Sequence, residues 1–126
     1  MDESKQWLAF AQEDLLYGKM GINSFPRAAS WSFQQAVEKS LKSLLLVIDG
    51  EVPRTHDVTY ILSLLRKHYK ISEDIVEAVL LIAEITPSVR YPADDLPEIT
   101  AQLAKDYYQA AEKVVKWGLM LLLPDR

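Results

Sequence analysis

The sequence predicts an all-α fold, an antiparallel up-and-down bundle of about five helices, on three observations. Apolar residues recur at helical spacing through most of the chain, and Pro, Gly, Ser, Thr and Asp stand where those periodic runs begin and end. No alternation of Val, Ile or Thr is long enough for a strand.

The first helix is expected from about Ser4 to Met20, with Trp7, Phe10, Ala11, Leu15 and Gly18 along one stripe, and Gly21 and Asn23 break it. Pro26 opens the second helix, since its fixed φ suits the first helical turn, and Gly50 followed by Pro53 stops it after Ile48. Its core stripe is Phe33, Ala36, Val37, Leu41, Leu44, Leu45 and Ile48. Thr55 is the expected N-cap of a short third helix that ends near His68, with Asp57 in its first turn and Val58, Ile61, Leu62 and Leu65 inward. Ser72 caps the fourth, whose stripe of Ile75, Val79, Ile82 and Ile85 runs to Thr86-Pro87. A loop over Ser88–Leu96 precedes the last helix, expected from about Pro97 to Leu123 with Leu103, Tyr107, Ala110, Ala111, Val114 and Leu122 inward.

Composition sets the outer limits. A chain of 126 residues suits one domain, taken as 1–126. Cysteine is absent, which excludes disulfides, thiolate metal sites and a Cys nucleophile and fits a cytoplasmic protein. The N-terminus shows no secretory pattern, and the apolar runs Leu44–Ile48 and Leu119–Leu123 are far shorter than the ~20 residues of a membrane span. A net charge of −4 and a pI near 5.1 argue against gripping nucleic acid through the overall field, while leaving room for a local basic patch. Aromatic residues on more than one face of the first two helices, and the nearly all-round apolar Trp117–Leu123 end, need cover, which self-association supplies.

Familiar catalytic signatures are missing. His56 and His68 have no carboxylate partner at metal-binding spacing, no glycine-rich phosphate loop is present, and Ser30, Ser32, Ser40 and Ser43 lie on a helix without a nearby base. No catalytic residue, cofactor or metal ligand is therefore assigned. Three segments remain as a candidate ligand site. On the second helix, Gln35, Glu38, Lys39 and Lys42 share the flank opposite the core stripe. Read alone, this is a solvated face on which Glu38 and Lys42, at i and i+4, form a surface pair worth about 0.2–0.5 kcal/mol. Read with Arg54, Thr55 and His56 at the third helix start and with Arg90 and Tyr91 in the loop, it becomes a binding ladder. Lys39, Lys42, Arg54 and Arg90 then offer charge to a phosphate, a helix N-terminus offers amides, and Gln35 and Glu38 orient a base or ribose. The plainer alternatives are a cap for Thr55, a solvated first-turn residue for His56 and a packed ring for Tyr91.

The order Phe33-x-Gln35-x-x-Glu38-Lys39-x-Leu41-Lys42-x-Leu44-Leu45, then Thr55-His56-Asp57-x-x-x-x-Leu62, then Arg90-Tyr91-Pro92, then a long Ala-rich helix closely resembles the HEPN domain. The likeness covers roughly residues 5–120. What this resemblance implies is a bundle that commonly forms a homodimer, binds a nucleotide or a nucleotidyltransferase partner, and is often encoded beside a minimal nucleotidyltransferase in a toxin–antitoxin-like two-gene module. It also implies a rival reading, because many members are metal-independent ribonucleases whose Arg is followed by His after four to six residues. Here no Arg has a His at that spacing, so enzymatic activity is not expected from the motif. RNA as a ligand belongs to the alternative in which His56 replaces the missing imidazole beside Arg90. A purely structural interaction protein is the third reading.

Overall fold

The computed structural model describes residues 2–123, which form five α-helices and one 3-10 turn, with no strand among them. The helices are α1 (Glu3–Met20), α2 (Pro26–Asp49), α3 (Val58–Leu65), α4 (Glu73–Ile82) and α5 (Ala101–Leu122), with the 3-10 turn at Pro87–Arg90 between α4 and α5. The expected all-α antiparallel bundle is therefore what forms.

Local chemistry explains the boundaries. The Asp2 carboxylate accepts from the Ser4 amide at 2.8 Å and so caps α1. Gly50 closes α2 in the left-handed region at φ 77°, where a Cβ would be strained. At 24 residues α2 is about 36 Å long and is the element against which α1, α3 and α5 pack. Several expected ends move. The cap of α3 is Asp57, not Thr55: its carboxylate accepts from the Thr59 and Tyr60 amides, while Thr55 Oγ1 accepts from the Asp57 amide one step earlier. That helix stops at Leu65, short of His68, in overlapping turns through Tyr69. α4 ends at Ile82, yet Ile85 is still buried because the following turn folds back onto the core. Ser72 occupies the cap position of α4, but its hydroxyl donates to Asp74 instead of receiving an amide. α5 starts four residues after Pro97, at Ala101, where Thr100 Oγ1 accepts from the Leu103 amide.

The core lies between α1, α2 and α5 and closes under α3 and α4. Phe33, Leu41, Leu44, Leu45, Ile61, Leu65, Ile82 and Val114 are sealed in it. α1 buries Ala11, Leu15 and Gly18 of the expected stripe, but its first turns present Leu8 to the core in place of Phe10, which is 61 % exposed. Gly18 permits the close α1–α2 approach, since a Cβ there would lie 2.5 Å from Phe33 Cε1. The apolar surplus is only partly absorbed. Trp117 packs edge-on against Tyr69, but Phe10, Leu16, Tyr17 and Met20 on α1, Phe25 beside it, and Met120 near the end of α5 stay exposed. No helix among the described residues is long and apolar enough to cross a membrane.

Candidate functional site

Trp31, Gln34, Gln35, Glu38 and Lys42 follow one another on α2 at helical spacing, which places them on a single broad stripe. Trp31, Gln34 and Glu38 of that stripe meet His56 in the segment between α2 and α3, Lys42 lies with its Nζ 5.9 Å from the Trp7 ring of α1, and Glu38 and Lys42 are both buried. The solvated-face reading is thus wrong for these two residues. Lys42 Nζ stands 2.9 Å from Glu38 Oε2, with side chains only 8 % and 5 % exposed, so the pair is an interior ion pair and not a surface one.

Four donors converge on the Glu38 carboxylate. Lys42 donates to Oε2, while His56 Nδ1 at 2.8 Å and the amides of Gln34 and Gln35 at 3.2 and 3.4 Å reach Oε1. Burial pushes the carboxyl up, but the hydrogen bonds from Lys42 and His56, the Lys42 charge and the Gln34 amide outweigh it and hold Glu38 below its usual range. An ionised carboxylate only accepts, so Nδ1 of His56 carries the hydrogen. Gln34 also donates to the His56 carbonyl at 3.0 Å, and its own carbonyl accepts from Gln35 at 2.8 Å. His56 is therefore not a free first-turn residue: ring and backbone are both tied to α2, although 53 % of its side chain is exposed.

Trp31 links this network to the loop arginine. The His56 ring meets Trp31 edge to face, with centroids 5.9 Å apart at 67°, and the Arg90 guanidinium carbon lies 4.6 Å from the centre of the Trp31 ring. Arg90 also approaches the Tyr91 ring at 5.6 Å. Tyr91 is 63 % exposed, so it is not the packed ring of the plainer reading.

The sequence-predicted site residues separate into three groups. Gln35, Glu38, Lys42 and His56 meet in one network, and Arg90 and Tyr91 join it through Trp31. Lys39 does not join: its Nζ is 2.6 Å from Asp14 Oδ2, which ties α2 to α1. Thr55 serves the entry to α3, and exposed Arg54 makes no ion pair or hydrogen bond among the described residues. The two lysines expected to neutralise phosphate are thus already neutralised by carboxylates. Arg90 has no carboxylate or hydrogen-bond partner among the described residues and lies at the surface.

A groove of about 630 Å³ opens beside Arg90, lined by Tyr17, Phe25, Arg27 and Trp31 among others. A smaller cleft of about 360 Å³ lies on the His56 side, between Thr55, Asp57, Thr86 and Pro87. Sequence reasoning missed Trp31 as a site residue, gave Gln34 no role of its own within the Gln34–Lys42 ladder, and missed Arg27. The signal for the first two was their helical spacing with Glu38; Arg27 carries none, because it enters the groove only through the packing of the segment before α5, where its Nη2 donates to the Pro97 carbonyl at 3.2 Å. Among the described residues no group of three or more His, Asp or Glu side chains is close enough to hold a metal ion.

A family model described as HEPN domain matches residues 4–121. Solved structures are similar over nearly the whole chain. TT1696 from Thermus thermophilus is 26 % identical, with 94 % of this chain and 97 % of that one covered and a TM-score of 0.82. ST0689, an archaeal HEPN homologue, is 22 % identical over 97 % and 99 %, with a TM-score of 0.76, and the HEPN domain protein tm0613 of Thermotoga maritima is 23 % identical over 93 % and 97 %, with a TM-score of 0.73. No curated protein matches.

Proposed function

The chain belongs to the HEPN domain family, and from that premise we propose that it is a homodimeric, nucleotide-binding helical bundle acting with a nucleotidyltransferase partner. One observation carries the ligand part of this reading: the unneutralised Arg90 guanidinium stacked on Trp31 at the rim of an aromatic-lined groove. A phosphate needs a cation not already committed to a carboxylate, and a base needs an aromatic surface on which to lie. Arg90 meets the first need, and Tyr17, Phe25 and Trp31 meet the second. The charged ladder on α2 does not bind phosphate in this reading. Its cations are spent internally, and its role is to hold the groove's wall.

Leu16 and Met20, one turn apart on α1 and 61 % and 87 % exposed, form an apolar face beside the groove that a second copy would cover. A thermal-shift series with ATP, GTP, their monophosphates and inorganic phosphate tests the ligand reading. Ligand at ten times its dissociation constant stabilises by about 1.4 kcal/mol, a shift of several degrees or somewhat less for a chain this long. Stabilisation of wild type that disappears in Arg90→Ala supports it, and a flat response to every nucleotide rejects it.

A metal-independent ribonuclease is the second reading, favoured by one observation: Arg90 and His56 flank the same Trp31 ring, and the His56 nitrogen opposite Nδ1 has no protein partner among the described residues. RNA digestion in chelator, lost in both Arg90→Ala and His56→Ala, would establish it in place of the first.

A further inference from the structure

The cluster around Glu38 does more than a helix-to-loop junction requires. Residues 50–57 have no regular secondary structure, yet two buried α2 side chains converge on one of them: Gln34 binds the His56 carbonyl and Glu38 binds its ring. Two aliphatic residues would fill the same interior space at equal or better stability than an ion pair taken out of water. The polar cluster instead fixes the angle and the tautomer of a single half-exposed imidazole.

Among the described residues the ring contact of that imidazole is with Trp31, and Trp31 in turn carries Arg90. Arg90 lies at the end of a 3-10 turn and has no ion pair or hydrogen bond among the described residues, so its guanidinium takes its place from the two rings beside it, Trp31 at 4.6 Å and Tyr91 at 5.6 Å, of which Trp31 is the nearer. We propose that His56, held by Glu38, is the positioning residue of the Trp31–Arg90 stack: the contact chain Glu38–His56–Trp31–Arg90 carries the order of the buried carboxylate to the rim of the groove. His56 need not touch a ligand to do this. The consequence for ligand affinity rests on the nucleotide reading above, whereas the consequence for Trp31 does not.

The experiment keeps Trp31 as sole tryptophan, through Trp7→Phe and Trp117→Phe, and measures acrylamide quenching of its fluorescence and its near-ultraviolet circular dichroism. His56→Ala removes ring and bond together; His56→Phe keeps a ring against Trp31 but cannot bond to Glu38. We expect quenching to rise and the near-ultraviolet signal to fall in both variants while far-ultraviolet helicity is retained. ATP affinity, read on the same proteins, should weaken about two- to fivefold, the size of one exposed cation–π contact. Unchanged Trp31 signals in His56→Phe overturn the proposal, and that variant decides should His56→Ala lose helicity. Absence of ATP binding in the parent protein rejects the nucleotide reading alone, since the Trp31 signals still decide the positioning role.

Discussion

Lys42 Nζ and Glu38 Oε2 lie 2.9 Å apart with both side chains more than nine-tenths buried, one helical turn apart on α2. Such a pair differs in kind from the exposed i, i+4 pairs of helix surfaces. Removing one partner strands the other charge away from water, which costs about 3–5 kcal/mol, whereas replacing both by aliphatic residues costs far less or even stabilises. Urea unfolding of Lys42→Met, Glu38→Leu and the double variant should therefore show two strongly destabilised single variants and a double variant well above the sum of their losses. Simple additivity would mean that the pair is solvated.

Stability should also depend on pH through Glu38. Its folded carboxyl is held below the usual 4.5, so the stabilisation it contributes is complete above that value and drains as the pH falls below it toward the folded pKa. In acid titrations followed by circular dichroism, Glu38→Gln protein should show a flatter loss of stability below about pH 4.5 than wild type. Identical slopes would assign the acid sensitivity to other carboxylates, among them Asp57, which its hydrogen bonds from Thr59 and Tyr60 also hold low.

Asp57, not Thr55, closes the N-terminus of α3. Asp57→Ala should cost about 1 kcal/mol in chemical denaturation, with Thr55→Ala costing less, because only the former leaves helix amides without their cap. The reverse order would restore Thr55 as the cap.

Gly18 is needed for contact distance. An alanine methyl would sit 2.5 and 2.9 Å from two Phe33 ring carbons and 3.0 Å from the Ala29 carbonyl oxygen. Overpacking of this kind costs about 1–3 kcal/mol, against which alanine's better helix propensity returns only about 1 kcal/mol. Gly18→Ala should lower the midpoint of thermal unfolding, and a raised midpoint would show that α1 and α2 separate freely.

The exposed face of α1 makes the oligomeric prediction. Light scattering at micromolar concentration should give about twice the 14.4 kDa chain mass, and Leu16→Glu with Met20→Glu should return it to one chain. A wild-type monomer would leave that face for a different partner.

Sequence periodicity carried the architecture because each helix buries one stripe and ends on a residue suited to ending it, as at Pro26 and Gly50. It failed for the polar flank of α2. A 3.6-residue repeat separates two faces but does not say what will cover the second: His56 of the 50–57 segment binds the Glu38 carboxylate, the Trp7 ring of α1 lies 5.9 Å from Lys42 Nζ, and both α2 side chains are interior. Likewise the Arg90–Trp31 stack joins positions far apart in the chain, and nothing local marks it. Helix ends moved where two capping residues compete, as Thr55 and Asp57 do, since either side chain fits the pattern and only the loop's path selects one.

The most direct test of nucleotide binding at Arg90 is where the phosphate lands. Isothermal titration of ATP into wild type, Arg90→Ala and Lys39→Ala proteins compares the free surface arginine with a ladder lysine already paired to Asp14. Binding should be retained in Lys39→Ala and lost or at least about tenfold weaker in Arg90→Ala, a difference of about 1.4 kcal/mol. Equal affinity in wild type and Arg90→Ala, or loss in Lys39→Ala alone, would contradict it.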